Sequence, residues 1–281
     1  MSELQRKIDY SINLLRKAED MALRLDPENG FYLAFSGGKD SQVLYHIAQM
    51  AGVKFKAHMN LTSVDPPEVI RFVKENYPDV ELIKPKMSIY EMAKKKHILP
   101  TMRFRWCCAE YKEVSRAGKV SLIGIRKQES FRRSKRNEIE TANHKFSGNF
   151  NQWSEHEEKM VTCVGGKDKI LVSPIIYWTE RDVWKFLNEN GIPHCKLYDE
   201  GYTRIGCILC PMSNYKSKIR DMKRYPHVKR NWIKTIQWMI DAGYSFTDRK
   251  NAEFGFNWWI SGKSFDKFYA EEVLQQKIDF E

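Results

Sequence analysis

The stretch Phe31-Tyr32-Leu33-Ala34-Phe35-Ser36-Gly37-Gly38-Lys39-Asp40-Ser41 decides how this sequence is read. An apolar run reads as a buried strand, two glycines follow, and a helical pattern opens at once near Asp40. A strand that passes through glycines straight into a helix makes an anion site. Glycines let the backbone approach oxygen atoms closely, and the first helical amides present free N–H groups with the helix dipole behind them. In such a loop Lys39 neutralises phosphate charge, the hydroxyls of Ser36 and Ser41 donate, and Asp40 holds Mg²⁺ beside a pyrophosphate. The plainer alternative is a glycine turn capped by Ser or Asp. Two similar strings lack the context: Gly165-Gly166-Lys167-Asp168 leads into the strand-like Ile170 to Val172 and reads as a hairpin turn, and Gly262-Lys263-Ser264 has Asn257 where a Walker A loop needs its first glycine.

Working outward, Ile8, Ile12, Leu15, Ala18, Ala22 and Leu25 recur at helical spacing until Asp26-Pro27-Glu28-Asn29-Gly30 breaks the pattern. Apolar runs at 31–35, 53–59, 80–83 and 120–125 read as strands, and they alternate with helical patterns at 40–50, 67–76 and 89–96. Alternation of this kind predicts an α/β fold with a parallel, five-stranded-type sheet flanked by helices. From 126 to 169 the pattern dissolves into polar and charged residues, as expected of a loop or lid insertion. A strand at 170–173 and a helix at 180–190, capped by Thr179, follow. The predicted division is an N-terminal helix (1–29), a nucleotide-binding α/β domain (30–190) and a basic, helical C-terminal segment (191–281).

A chain of 281 residues with 42% hydrophobic residues can bury a full core, and its formal charge of +11 favours polyanionic ligands. No window approaches the roughly 20 apolar residues of a membrane span, and the charged first helix lacks a signal peptide's apolar centre, so a cytoplasmic protein is expected. Lys216, Lys218, Arg220, Lys223, Arg224, Lys229, Arg230 and Lys234 lie among Tyr215, Tyr225, Trp232 and Trp238. That mixture suits a nucleic-acid acceptor, although Trp232, Ile233, Ile236, Met239 and Ile240 also follow the spacing of a packed amphipathic helix. Trp258 and Trp259 are expected to pack against the main domain.

The six cysteines, at 107, 108, 163, 195, 207 and 210, are too sparse for a secreted disulfide scaffold. Cys107-Cys108 and the Cys207-Ile208-Leu209-Cys210-Pro211 turn together supply four thiols, enough to close one metal site. A CxxC turn aims two sulfurs at one centre, as in zinc and iron-sulfur sites. Ordinary buried cysteines are the remaining alternative. Cys163 and Cys195 lie outside this set, and either can serve as a sulfur carrier or simply pack.

Ser36 to Ser41 resembles the SGGxDS loop of the ATP pyrophosphatases in the adenine-nucleotide alpha-hydrolase superfamily, which split ATP between its α and β phosphates. The pairing of adjacent cysteines with a distant CxxC is similar to the 4Fe-4S ligand set in one branch of the phosphoadenosine-phosphosulfate (PAPS) reductase family. Asn60 to Phe72, the Gly124-Ile125-Arg126-Lys127-Gln128-Glu129-Ser130-Phe131-Arg132-Arg133 segment and the tryptophan-rich stretch 174–211 extend the likeness over residues 30–212.

The resemblance implies a 4Fe-4S cluster on Cys107, Cys108, Cys207 and Cys210. It also implies ATP and Mg²⁺ at Ser36, Gly37, Gly38, Lys39, Asp40 and Ser41, with Arg126 and Arg132 facing phosphate or sulfate beside Glu129 and Ser130. Arg133, Lys135 and Arg136 read equally well as solvated surface charge. Family reductases attack with a cysteine in a C-terminal ECGxH-type motif, and no cysteine follows Cys210 here. The loop also keeps every letter of the ATP-splitting version. The expectation is therefore an ATP pyrophosphatase that adenylates an acceptor for sulfur transfer, similar to those of DNA phosphorothioation or tRNA thiolation, with Lys39, Asp40, Arg126 and Cys163 in the catalytic centre. A sulfur-donating partner protein and a homo-oligomer are compatible with it. The alternatives are a sulfonucleotide reductase with an atypical nucleophile and a non-catalytic nucleotide-binding subunit.

Overall fold

Ser2 caps the first helix, α1 (Glu3–Leu25), by accepting from the Gln5 N–H at 3.1 Å, and Leu4, Ile8, Ser11, Leu15, Ala18 and Ala22 form its buried stripe. In this computed structural model, which describes residues 1–142, 146–155, 169–244 and 251–271, the chain divides into two compact units. One comprises Met1–Leu61, Pro67–Lys84 and Glu113–Ile205, and the other comprises Thr62–Pro66, Pro85–Lys112 and Gly206–Glu281.

The first unit is built on a sheet of β1 (Phe31–Ala34), β2 (Phe55–Asn60), β3 (Glu81–Ile83), β4 (Val120–Leu122), β5 (Ile139–Thr141), β6 (Ser147–Gly148) and β7 (Ile170–Val172). Their order is β3-β2-β1-β4-β7-β5-β6. β3, β2, β1, β4 and β7 run parallel, in a register that sets Leu33 beside both Ala57 and Leu122, and Leu122 beside Val172. The helices of this unit include α2 (Lys39–Ala51), α3 (Pro67–Asn76) and α7 (Glu180–Glu189), and α2 packs against both α1 and α7. Parallel strands covered by helices are apolar along their length, which is why these strands read as continuous apolar runs.

The expectation for residues 126–169 needs correction. This segment carries a short helix, α5 (Phe131–Ser134), the antiparallel strands β5 and β6, which extend the sheet beyond β7, and α6 (Phe150–Ser154). Strands this short carry too little periodicity to stand out in a polar sequence, and β5 buries Glu140 as well as Ile139. Glu140 accepts from the Arg136 guanidinium, from Asn137 N–H at 3.2 Å and from Ser147 Oγ at 3.0 Å. Hydrogen bonding of this kind is what lets a charged residue occupy an interior strand position. Residues 143–145 and 156–168 lie outside the described residues, and with them Cys163 and the Gly165 to Asp168 turn.

The second unit includes α4 (Ile89–Lys96), α8 (Tyr215–Arg224), α9 (Pro226–Asp241) and α10 (Ala252–Ser261). It has its own core, which includes Trp106, Ile208, Trp232, Ile236, Phe256 and Trp259. Trp232 packs edge-on to Tyr90 at 5.0 Å and lies 4.8 Å from Trp259, whose Nε1–H donates to Pro100 O at 2.7 Å. Trp259 thus serves the core of this unit, not that of the sheet. Among the described residues, no helix is long and apolar enough to cross a membrane.

Trp153 on α6 is fully buried, edge-on to Phe146 at 5.0 Å, within the core of the sheet unit. Trp153→Ala should therefore cost about 3–5 kcal/mol, the ordinary loss for an aromatic core truncation. Urea unfolding measures it, and a change within a few tenths of a kcal/mol would return this segment to the status of a surface loop.

Candidate functional site

Phe35 N–H still bonds to His58 O at 2.9 Å, so the chain leaves the sheet only at Ser36. Gly37 turns it at φ +69°, in the left-handed region that glycine enters freely. A Cβ there would lie 2.8 Å from methyl groups of both Val69 and Val73 on α3. Gly38 is the N-cap of α2 and has no side chain to cover the amides behind it. Ser41 Oγ closes the loop by donating to Gly38 O at 2.8 Å and accepting from Ser36 N–H at 3.2 Å. A second close approach occurs at Gly124, where a Cβ would meet Asp40 O at 3.0 Å, so glycine lets the exit from β4 reach the first turn of α2.

The charged groups converge on that turn. Lys39 is only 3% exposed, and its Nζ donates to Thr203 O at 3.1 Å, with Glu180 Oε1 at 3.4 Å and Asp40 Oδ2 at 3.8 Å. The Tyr198 ring lies beneath the ammonium at 5.4 Å, and the Tyr198 hydroxyl accepts from Lys39 N–H at 2.9 Å. Arg126 is 4% exposed and its Nε donates to Asp40 Oδ1 at 2.6 Å. Gln128 Oε1 bridges, accepting from Glu180 N–H at 2.7 Å and from Arg126 Nη1 at 3.4 Å.

Ser36, Gly37, Gly38, Lys39, Asp40, Ser41 and Arg126 thus stand together. Arg132 is exposed on α5, while its neighbour Arg133 is half-buried and ion-paired to Glu129. Burial, together with the positive field of Arg204, Arg136 and Arg126, pushes the Arg133 guanidinium down to about 10 against the pull of Asp40. Burial is the larger cause, and the gathering of Arg126, Arg133, Arg136 and Arg204 adds a positive field of the kind that attracts anions. Sequence reasoning passed over Tyr198, Thr203, Glu180 and Arg204 as site residues, and it read Arg133 equally well as solvated surface charge. The one available signal was the polar, aromatic run Leu197-Tyr198-Asp199-Glu200-Gly201-Tyr202-Thr203-Arg204, but nothing in it points to a loop so distant in sequence.

The four paired cysteines all belong to the second unit, and each is half-buried. Cys107 and Cys108 are hydrogen-bonded to each other. The bond from Cys108, burial and the nearby Cys207 and Cys210 push the Cys107 thiol up. The same bond, with Arg105 donating at 3.3 Å, pulls Cys108 down to about 5 against the effect of burial. Thr62 Oγ1 donates to Cys207 Sγ at 3.5 Å, and Cys207 holds the half-buried Lys112 in its charged form. The Cys207–Cys210 turn is pinned by Ile208 N–H to Val64 O at 2.7 Å and by Leu209 N–H to Asp221 Oδ2 at 3.0 Å. Among the described residues no group of three or more His, Cys, Asp or Glu side chains is arranged to hold a metal ion. Cys195 is buried in the sheet unit, where burial raises its thiol.

The basic helices separate into core and surface. Lys218 is buried and donates to Ile260 O at 3.0 Å, and Tyr225 and Trp232 are core residues. Lys216, Lys223, Arg230, Lys234, Tyr215 and Trp238 are exposed.

Residues 30–213 match the family model described as the phosphoadenosine phosphosulfate reductase domain. An uncharacterized protein of Methanocaldococcus jannaschii is 26% identical over 251 residues, which is 84% of this chain and 54% of that protein. Adenosine 5'-phosphosulfate reductase of Bacillus cereus is 28% identical over 196 residues, 66% of this chain and 74% of that enzyme. The chain spans about half the length of the first curated relatives it matches, 54% and 41% of two Methanocaldococcus jannaschii proteins. Similar solved structures include Candida glabrata FMN adenylyltransferase with FMN and the ATP analog AMPCPP, at 17% identity over 73% of this chain and 64% of that one (TM-score 0.48). Another is PAPS reductase from Candida auris in a phosphate complex, at 19% identity over 74% of this chain and 96% of that one (TM-score 0.44).

The contacts at Gly37 make a prediction. Gly37→Ala should destabilise the protein by about 1–3 kcal/mol in urea unfolding, through strain at positive φ and overpacking against Val69 and Val73. Adding Val73→Ala should not restore wild-type stability, because the contact with Val69 and the strain at positive φ remain and a buried methyl pair is lost. Wild-type stability in Gly37→Ala alone would show that the loop does not need this turn.

Proposed function

The chain belongs to the phosphoadenosine phosphosulfate reductase domain family, and from that premise we propose that it is an ATP pyrophosphatase which adenylates an acceptor oxygen for sulfur transfer. The observation that carries the reading is the loop Ser36 to Ser41, an N-terminal anion site on α2 with the buried ammonium of Lys39 and guanidinium of Arg126 at its first turn. Two buried cations beside glycine-spaced amides suit a group that bears several negative oxygens and departs with more charge than it had when bound.

In this reading an acceptor oxygen attacks the α-phosphorus of ATP. Its bond to that phosphorus forms, the α–β bridging bond breaks, pyrophosphate leaves, and the acceptor's proton passes to water. Lys39 and Arg126 stabilise the charge that grows on the departing phosphates. Arg133 and Arg204 add positive field on the same side. Asp40 would hold Mg²⁺ jointly with the phosphates, which is the usual one-carboxylate mode for this ion; the carboxylate is oriented for it by Arg126 Nε. In the second step the outer sulfur of a persulfide on the candidate carrier Cys163 bonds to the activated centre, the bond from that centre to the adenylated oxygen breaks and AMP leaves with it. A dithiol donor then reduces the link between carrier and product, freeing the Cys163 thiol and being oxidised to its disulfide. The exposed Lys216, Lys223, Arg230 and Lys234 beside Tyr215 and Trp238 favour a nucleic-acid acceptor.

The thiol set fits a 4Fe-4S cluster by its chemistry. Cys107, Cys108, Cys207 and Cys210 would hold it, and the Arg105 guanidinium, the charged Lys112 and the Thr62 hydroxyl are the partners that thiolate ligands require. When bound, the cluster would supply electrons or a sulfur-binding iron. A sulfonucleotide reductase is the second reading, favoured by the 28% identity to adenosine 5'-phosphosulfate reductase.

Two measurements test these assignments. With ATP and a nucleic-acid or small acceptor, AMP and pyrophosphate should be released only when the acceptor is present; ADP plus phosphate, or sulfite from a sulfonucleotide with a thiol donor, would replace the pyrophosphatase reading. Anaerobically purified protein should carry iron and sulfide, and Cys107→Ser and Cys210→Ser should each lose most of both. Full iron in either variant, or none in the parent, removes the cluster.

A further inference from the structure

The turn after Leu197 brings one group to the phosphate loop that the reaction outlined above does not use. Tyr198 N–H donates to Cys195 O at 3.0 Å, Gly201 N–H to Tyr198 O at 3.0 Å and Tyr202 N–H to Leu197 O at 3.0 Å, and Cys195, Leu197 and Tyr202 are all buried. The turn is thus anchored in the core, and the Tyr198 ring is held edge-on by Trp184 at 5.0 Å. Its hydroxyl reaches the mouth of the loop: it accepts from Lys39 N–H at 2.9 Å, and a Cβ on Gly38 would lie 3.4 Å from it.

A phenol has one proton to donate and an oxygen that accepts. Here the acceptor side is taken by the first helical amide of α2, and among the described residues the hydroxyl donates no hydrogen bond. Burial raises its pKa, with the negative field of Asp40, Cys195 and Glu180 adding to the effect against the pull of the Lys39 N–H, so the proton stays on the oxygen throughout the neutral range. Tyr198 is half-buried, and with its donor side unengaged beside an anion loop, a bound anion is the acceptor nearest to hand.

We propose that Tyr198 is a ligand of the bound nucleotide, its hydroxyl held by the Lys39 N–H and donating its own proton to a non-bridging oxygen of the pyrophosphate moiety. The assignment rests on the nucleotide reading above and adds a group that distinguishes nucleotides with terminal phosphates from AMP. Glycine-loop amides grip any anion of suitable size. A directed hydroxyl proton requires an oxygen at one place, and AMP has none there.

The test is calorimetric titration of the full chain with ATP, inorganic pyrophosphate and AMP, in the parent and in Tyr198→Phe, with melting curves of both. Losing one hydrogen bond to a charged phosphate should weaken ATP and pyrophosphate about ten- to a hundredfold while AMP binding stays as it was. Equal ATP and pyrophosphate affinity in the variant overturns the assignment. So does a loss shared equally by AMP, which would mark Tyr198 as a cap of α2 only. A second substitution separates donor from acceptor without disturbing packing: 3-fluorotyrosine at 198 is a stronger donor and a weaker acceptor. ATP affinity should rise with it, and a fall overturns the proposal. If the parent binds neither ATP nor pyrophosphate, the nucleotide reading itself fails and Tyr198 with it, an outcome distinct from a variant that binds as the parent does.

Discussion

The buried ammonium of Lys39 is the constraint on which the sheet unit's functional end depends. An ammonium that is 3% exposed has lost most of its water and must be surrounded by groups that replace it. The replacements come from segments far apart in sequence: the Thr203 carbonyl, the Glu180 carboxylate at the start of α7 and the Tyr198 ring. Each of these segments is fixed where it is partly because the charge is there. The Arg126–Asp40 pair works in the same way on the other side of the turn, bringing the segment after β4 onto α2. Removing a carboxylate from such a set leaves a buried cation short of a partner, which costs more than the contact itself contributes.

Topology makes this convergence available. β1 lies inside the sheet, with β2 and β4 on its two sides, so the loop that leaves β1 is flanked by the ends of both neighbours. In open parallel sheets, ligands bind outside the carboxyl ends of the strands, where helices on opposite sides part. The antiparallel addition of β5 and β6 lengthens the sheet past β7, and the polar segment that carries them places Arg133 and Arg136 in one electrostatic group with Arg126 and Arg204. A segment that looks like a lid in sequence is therefore partly framework.

The second unit solves a different electrostatic problem. Two adjacent thiols and a CxxC turn place several acidic sulfurs in each other's field, so they cannot all ionise on equal terms. The Cys107 thiol is pushed up, while the hydrogen bond from Cys107 and the Arg105 guanidinium favour charge on Cys108. Lys112, held in its charged form beside Cys207, adds a second countercharge. Such surroundings stabilise thiolate, the form in which cysteine binds a metal and attacks an electrophile.

Sequence alone determined the parallel strands and most helices of the sheet unit, because apolar runs alternating with helical stripes leave no other way to bury those side chains. It determined the loop as well: strand, glycine pair and helix are contiguous, so their chemistry is local and legible. It also identified the two cysteine pairs and, through motif and pattern, the family. Arg132 against Arg133 marks the edge of that legibility, since adjacent arginines on a one-turn helix differ only in the direction they face. The burial of Lys39, the company of Tyr198, Thr203 and Glu180, and the strands hidden between 126 and 169 were decided by tertiary structure. The physical reason is that these features depend on which distant segments desolvate one another, and a charge or a phenol has no sequence pattern that names its partner.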